Sequence, residues 1–440
     1  MLLVAMLLAC STSVDKVNPD TNWINGVESS TSEEIPSVIE VSFSTPEPAV
    51  AWVEFGGDSL TRTTNVGEMS TEHNVAVVGA SPLSEVMMRI VVQVDGEEHR
   101  SGIFTHTSGG LLPETPVFEI IVDNYDPPEE AVLLMSVYNK SSHMVMLNFD
   151  GEVVWSMKSG DADDGKGLGV QPVDGEIQYN HFEGVWDNGT IKRMSLSGKP
   201  IETIALLDSH HFFTVGPDGE TVWIQHDVQT PKGDSPLVGD SLMVGTGDDA
   251  EMLFSTWDHL TFQIDPSNFP EWTHANGVEY SADRDSYIMS TAFADTLIEL
   301  DTEGNPLRII GGYNSADSDY QFNSPDDTFS YPHGVRWTSK GNLLVFSTLD
   351  NVSKVIRYEL DDETGTIWKR WEFGADQGYE ARLLGEVHEL EDGNILISWG
   401  SVGVLQVVDP TNNTVLWEAH SALKEFPTQV HYLDTPYTTR

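Results

Sequence analysis

The chain has 440 residues, with 70 Asp and Glu against 22 Lys and Arg, for a formal net charge of -48. Such an acidic excess argues against nucleic acid or an anionic membrane surface as a partner, and suits a self-repelling, solvated surface in a salty medium. A hydrophobic content of 39% and a mean hydropathy of -0.24 fit a folded, soluble chain that is too long for one ordinary core.

The first ten residues, MLLVAMLLAC, are an apolar run ending in Leu7-Leu8-Ala9-Cys10. They predict an export signal over 1–10 with a lipoprotein box, Cys10 being lipidated and the protein periplasmic or at the cell surface. No Lys or Arg precedes the run, so a misplaced start is the competing reading. Ten apolar residues are too few to span a bilayer, so membrane contact is expected only through the lipid anchor. Cys10 is the single cysteine, which excludes an intrachain disulfide. Residues 11–34 are polar and turn-rich and predict a linker.

From 35 to 115 the runs SVIEVSFS, VAWVEFG, NVAVVGA, MMRIVVQVDG and RSGIFTHTS alternate with period two. Separated by turn residues, they predict a small immunoglobulin-like β-sandwich. The segment LLPETPVFEIIVDNYDPPEE then reads as a domain boundary. From 128 to 440 the pattern recurs, and six units of about 52 residues suit the blades of a β-propeller. Seven blades are the alternative count. Outer strands ending at Trp155, Trp368 and Trp417 repeat, and Gly341-Asn342 and Gly393-Asn394 mark hairpin turns. The expected fold is therefore all-β, a six-bladed propeller behind a sandwich.

Four units open with histidine: SHHFFTVGPDGE (His210, His211), THANGVEYSADRD (His274), YPHGVRWTSKGN (His333) and EVHELEDGN (His388). In a propeller the first strand of each blade lines the channel. His211 and His333 each precede their turn glycine, Gly219 and Gly341, by eight residues, which puts both near the same strand end. His211, His274 and His333 are thus expected to face the channel from adjacent blades. Histidine is the side chain most easily set near neutral pH as nucleophile, base or donor. No HExxH motif occurs, and His210 and His211, as strand neighbours, should point to opposite faces, so no metal site is predicted.

The unit EWTHANGVEYSADRDSYIMSTAFADTLIELDTEGNPLRIIGG resembles the bacterial aryl-sulfate sulfotransferase family. So do FSYPHGVRWTSKGNLLVFSTLDNVSKVIRYELDDETGTIWKRWEFG, the WDHL of Trp257–Leu260, DGNILISWGSVGVLQVVD and the terminal PTQVHYL. The resemblance covers roughly 120–440. It implies a sandwich ahead of a six-bladed propeller and transfer of a sulfuryl group from an aryl sulfate to a phenol through a sulfohistidine, with no nucleotide donor and no cofactor. Tyr331-Pro332-His333 matches the nucleophile motif, so His333 is the implied nucleophile. His274 and Asn276 match the His-x-Asn pair that holds sulfuryl oxygens. A further histidine falls on His210 or His211, with His211 favoured by its offset.

This chain departs from the family in three places. Ala292 stands where the family has an arginine, Gly385 where it has a threonine, and Ser353-Lys354 where it has Ser-Arg. Lys354 keeps the charge without the bidentate fork. Phe212, Phe213, Tyr331 and Trp337 are candidate walls for an aryl ring, Phe212 and Tyr331 foremost. The alternative expectation is a non-catalytic surface propeller that binds a ligand or partner.

Overall fold

The computed structural model describes residues 23–437 except 139–140, 161–164, 174, 184–186, 231–234, 266, 268 and 424. The predicted signal and Cys10 lie outside the described residues. The fold is almost entirely β, and no described helix is long and apolar enough to cross a membrane.

The N-terminal sheet system is organised by one strand, Ile39–Gly56. Its first half pairs with Asn25–Thr31 and Ser70–Val77, and its second half with Glu85–Val94. The sequence shows two runs here because Pro46 and Pro48 interrupt the alternation. The strand bends through them, passing from one layer to the other as corner strands of sandwiches do. Ile39, Val41 and Phe43, then Ala49, Ala51, Val53 and Phe55, all point into one core. Asn25–Thr31 is polar, NGVESST, and reads as linker from composition, yet it forms a sheet edge where only alternate residues need burial.

Six further sheets form the blades of a six-bladed propeller. Their innermost strands are Phe426–Leu433, Val170–Val173, Ser209–Val215, Ala275–Ser281, Val335–Trp337 and Glu386–Glu389. The C-terminal strand pairs with Val132–Tyr138 and so supplies the inner edge of the first blade. At the other edge of the seam Phe118–Asp123 pairs with Thr414–Ser421, the outer strand of the sixth blade. The apparent boundary segment is thus a second closure of the ring.

Hairpins follow the glycine signals: Gly341, at φ +76°, closes the turn between Val335–Trp337 and Leu343–Leu349. Trp155 donates from Nε1 to the Leu196 carbonyl at 2.8 Å, and Trp417 to the Phe149 carbonyl at 2.8 Å. Each fully buried indole ties a blade to the next one. Trp368, by contrast, lies half exposed under Arg370.

Candidate active site at one mouth of the channel

Because inner strands run alike in every blade, the connections entering them gather at one face of the ring. His211 lies near the start of Ser209–Val215, His274 immediately before Ala275–Ser281, and His333 two residues before Val335–Trp337. The three predicted histidines therefore come from consecutive blades to one mouth. Their backbones are unusual: φ is +55° at His211, +49° at His274 and +48° at Tyr331. Non-glycine residues hold this conformation only where the surroundings enforce it.

At His211 the cause is a register shift between Ser209 and Phe213. It overturns the expectation that His210 and His211 face apart. The irregularity turns both rings to one side, with Nδ1 to Nδ1 at 2.8 Å and rings edge-on at 5.0 Å. His210 stacks on His226 with centroids 4.0 Å apart, and its Nε2 lies 3.0 Å from Asp240 Oδ1. The other Asp240 oxygen accepts from Thr273 Oγ1 at 2.5 Å and the Ala275 amide at 2.6 Å. Burial pushes the Asp240 carboxyl up, but the close contact with His210 and hydrogen bonds from Thr273 and Ala275 outweigh it and hold the group below the usual carboxylate range.

His211 meets His274 edge-on at 4.9 Å. His274 lies flat on Phe293 at 4.4 Å and hydrogen-bonds through Nδ1 to Glu271 Oε2. That bond above all holds Glu271 below its usual range. His333 is buried, and its Nδ1 donates to the Tyr331 carbonyl at 3.3 Å, which leaves the lone pair on Nε2. Burial depresses its pKa to about 4; the Tyr331 carbonyl opposes this and the His274 charge adds to it. Burial, then His274, His210, His333 and His226, carry His211 well below the ordinary imidazole value. At neutral pH both rings are uncharged. Among the described residues no three His, Cys, Asp or Glu side chains are grouped as metal ligands.

Asn276 is buried beside His333. Its amide donates to the Pro332 carbonyl at 3.1 Å, and its oxygen accepts from Ser290 Oγ at 2.8 Å. One of its N–H bonds thus fixes the peptide preceding the implied nucleophile. Tyr331 is fixed from behind, its amide donating to Asp295 Oδ1 at 2.6 Å, and its ring centroid is 5.3 Å from His333. Phe212 packs with Leu168 and Phe182, flanked by Tyr138 and Leu384, which forms an apolar wall.

Lys354 is placed differently. It sits on Val352–Asp361 with its ammonium 3.4 Å from Glu372, which also pairs with Lys369. The departures from the family pattern have local explanations. Ala292 is buried in the hairpin of the fourth blade, donates its amide to the His274 carbonyl at 3.0 Å, and lines a cavity of about 450 Å³ with Phe293, Tyr331 and Trp272. Gly385 has φ +134°, and a Cβ there would stand 2.5 Å from the Phe346 ring, so a threonine does not fit this backbone.

The opposite mouth opens on a cavity of about 860 Å³ lined by Glu279, Arg336, His388 and His431 among others. Arg336 pairs with Glu279 and lies 3.7 Å from Glu386. Burial pushes Glu386 up to about 7, with Arg336 opposing and Glu279 adding to the rise. His388 belongs to this end, 6.0 Å from His431, so the fourth histidine of the repeat series is separated from the other three.

Sequence reasoning missed His226, Asp240, Glu271 and Phe293. The signal for Asp240 was present: a lone carboxylate inside the apolar strand Leu237–Val244 must have a buried partner.

A propeller with imidazoles from three adjacent blades at one channel mouth, backed by buried carboxylates, is the class of protein that fold and site define. The chain belongs to the arylsulfotransferase (ASST) family, whose model matches residues 120–437. It is similar to the arylsulfate sulfotransferase AssT of Lelliottia amnigena, 22% identical over 213 residues, covering 37% of this chain and 34% of that one. The AssT of Escherichia coli O6:H1 is 23% identical over 214 residues, covering 37% and 34%. The match thus spans about a third of the curated relatives' length. Among solved structures, a protein of unknown function from Bacteroides caccae is similar, with a TM-score of 0.46 at 13% identity, covering 70% of this chain and 99% of that one.

Proposed function

We propose that the protein transfers a sulfuryl group from an aryl sulfate to a phenol through a sulfohistidine on His333. The observation that carries this reading is His333 itself: buried, uncharged near neutrality and oriented with its lone pair on Nε2. Family membership supports the same chemistry.

In the first half-reaction Nε2 of His333 attacks sulfur in line, the N–S bond forms and the aryl S–O bond breaks. Charge spreads over the equatorial oxygens, as in phosphoryl transfer. The second amide N–H of Asn276 is a donor for those oxygens, and His274, its Nδ1–H held by Glu271, presents Nε2 to them, a nitrogen that donates only from the doubly protonated ring. His211 gives a proton to the departing phenolate. In the second half a phenol oxygen attacks sulfur, the N–S bond breaks, and His211 takes the phenol's proton. Phe212 and Tyr331 supply flat surface for the rings. Lys354 is paired with Glu372, and Arg382 with Glu380 and Asn351, while the Arg382 guanidinium also acts on the Tyr331 phenol from the rim.

The test is p-nitrophenyl sulfate with phenol, run on the intact protein and on His333→Ala. Phenol-dependent nitrophenol release that vanishes in the variant, with a sulfated peptide containing His333, is the expected result. Absence of release from any aryl sulfate, at low or high salt, sinks the reading and returns the chain to a ligand-binding propeller. Export and lipidation at Cys10 are part of the same proposal; Cys10→Ser is expected to release the protein from the membrane fraction.

A further inference from the structure

We infer that Asp295 is a positioning residue for the nucleophile: it holds Tyr331 in the left-handed conformation, and the Tyr331 carbonyl in turn holds His333 as the tautomer with the lone pair on Nε2. The consequence for rate rests on the sulfuryl-transfer reading; the tautomer does not.

Asp295 ends the turn 292–295, between the strands Ser286–Thr291 and Thr296–Asp301 of the fourth blade. Its side chain reaches the connection that enters the fifth blade, where three donors meet on it. Oδ1 accepts from the Tyr331 amide at 2.6 Å and from Ser330 Oγ at 3.0 Å, and Oδ2 accepts from the Asn314 amide at 3.0 Å. Asp295 is only 3% exposed, so water does not replace it as the acceptor for these groups.

Tyr331 needs such a hold. Its φ is +48°, a region that a bulky side chain keeps only under constraint, and Pro332 follows it. A residue before proline is drawn to the extended region. Asp295 grips the amide side of the peptide that enters Tyr331, while the Thr348 amide and Ser347 Oγ grip its carbonyl side at Ser330. Without Asp295, Tyr331 would relax toward the extended region and its own carbonyl would turn.

That carbonyl is the acceptor for His333 Nδ1 at 3.3 Å. A carbonyl can only accept, so the contact places hydrogen on Nδ1 and leaves Nε2 bare. The backbone on either side is held by other bonds: the Asn276 amide donates to the Pro332 carbonyl at 3.1 Å, and the His333 amide donates to the Phe346 carbonyl at 3.0 Å. The same turn also reaches the neighbouring imidazole, because Ala292 donates its amide to the His274 carbonyl and Phe293 lies flat on the His274 ring. One short turn thus carries contacts to both His274 and the loop of His333.

The experiment reads tautomer and rate separately. Burial depresses His333 to about 4, so its ring is neutral at pH 7 and its tautomer can be observed. In protein labelled with 15N-histidine, the ring signals lost in His333→Ala should show hydrogen on Nδ1 and a bare Nε2. Asp295→Ala should convert them to a mixture of tautomers. It should also slow single-turnover sulfation by p-nitrophenyl sulfate about 10- to 100-fold, with the donor KM within about threefold. In a Tyr331→Asn background Asp295→Ala should shift the tautomer far less, since asparagine takes the left-handed conformation readily. Should Asp295→Ala fail to fold, Asp295→Asn, with one acceptor oxygen for three donors, reads the same two signals. An unchanged tautomer in the folded variant, or a rise in KM that accounts for the whole loss, overturns the positioning role. Intact protein with the expected tautomer that no aryl sulfate sulfates overturns the transfer reading and leaves the hold of Asp295 on His333 standing.

Discussion

The two mouths of the channel are made by opposite ends of the same inner strands, yet they handle burial of ionisable groups in opposite ways. One mouth keeps bases neutral: His333 is depressed to about 4 and His211 well below its ordinary value. Further along the channel, where Arg336 reaches in from the cavity at the other mouth, an acid is affected instead: Glu386 is raised to about 7. Both effects come first from desolvation, which disfavours whichever form is charged. A neutral imidazole is a nucleophile, whereas a neutral carboxylic acid in a charge cluster is an element of packing. The difference is therefore one of residue type.

The largest expected contrast is catalytic. His333→Ala should lower sulfuryl transfer by about 10⁴-fold or more, as removal of a covalent nucleophile does, while His388→Ala at the far mouth should stay within about threefold. Comparable losses from the two, measured as kcat/KM, would erase the functional distinction between the mouths.

The next contrast is in the pH dependence of stability, and its signs oppose. For His333 the unfolded chain binds more protons between about 6.5 and 4, so its contribution is lost as pH falls through that window. For Glu386 the folded chain binds more protons between about 4.5 and 7, so stability falls as pH rises through that window. Glu386→Gln, which cannot ionise, should flatten the fall between about pH 4.5 and 7 and gain about 1–3 kcal/mol at pH 8 relative to the parent in denaturant titrations. An unchanged slope would mean that Glu386 is not buried as described.

Smaller effects sharpen the histidine mouth itself. Gly385→Thr installs the family's residue, yet its Cβ meets the Phe346 ring and its backbone has φ +134°. It should cost about 1–3 kcal/mol in thermal or denaturant unfolding and give no gain in turnover. Phe212→Ala should raise KM for the aryl donor by about tenfold with kcat little changed, since a ring wall binds ground and transition states alike. A fall in kcat at constant KM would instead assign Phe212 to the positioning of His211.

Much of the fold was legible because sheet alternation and hairpin glycines are local signals. Gly341 and the repeated histidine openings located the inner strands from sequence. Strand partners were not legible where pairing is distant: Phe118–Asp123 looks like a connector until Thr414–Ser421 accepts it. Asn25–Thr31 looked like a linker because an edge strand needs little apolar character. At the site, the blade periodicity brought His211, His274 and His333 to one mouth. It failed at His210, because alternation assumes a regular strand and the register shift before Phe213 breaks it. Lys354 failed for another reason: an ion pair with Glu372, eighteen positions away on the neighbouring strand, is invisible to motif matching.

The seam of the ring has a bearing on when the site can exist. Gln429, on the last inner strand, accepts the Val170 amide of the second blade at 3.0 Å, and Asn180, on the strand paired with Val170–Val173, donates to the His211 carbonyl at 2.6 Å. The clasp that shuts the circle is thus coupled to the backbone that aims an imidazole. A nascent chain halted before Phe426 would hold every proposed catalytic residue and still lack the mouth they form. On the proposed function, transfer requires Phe426–Leu433 to be seated in the first blade, and a single protease cut that frees this strand should abolish it.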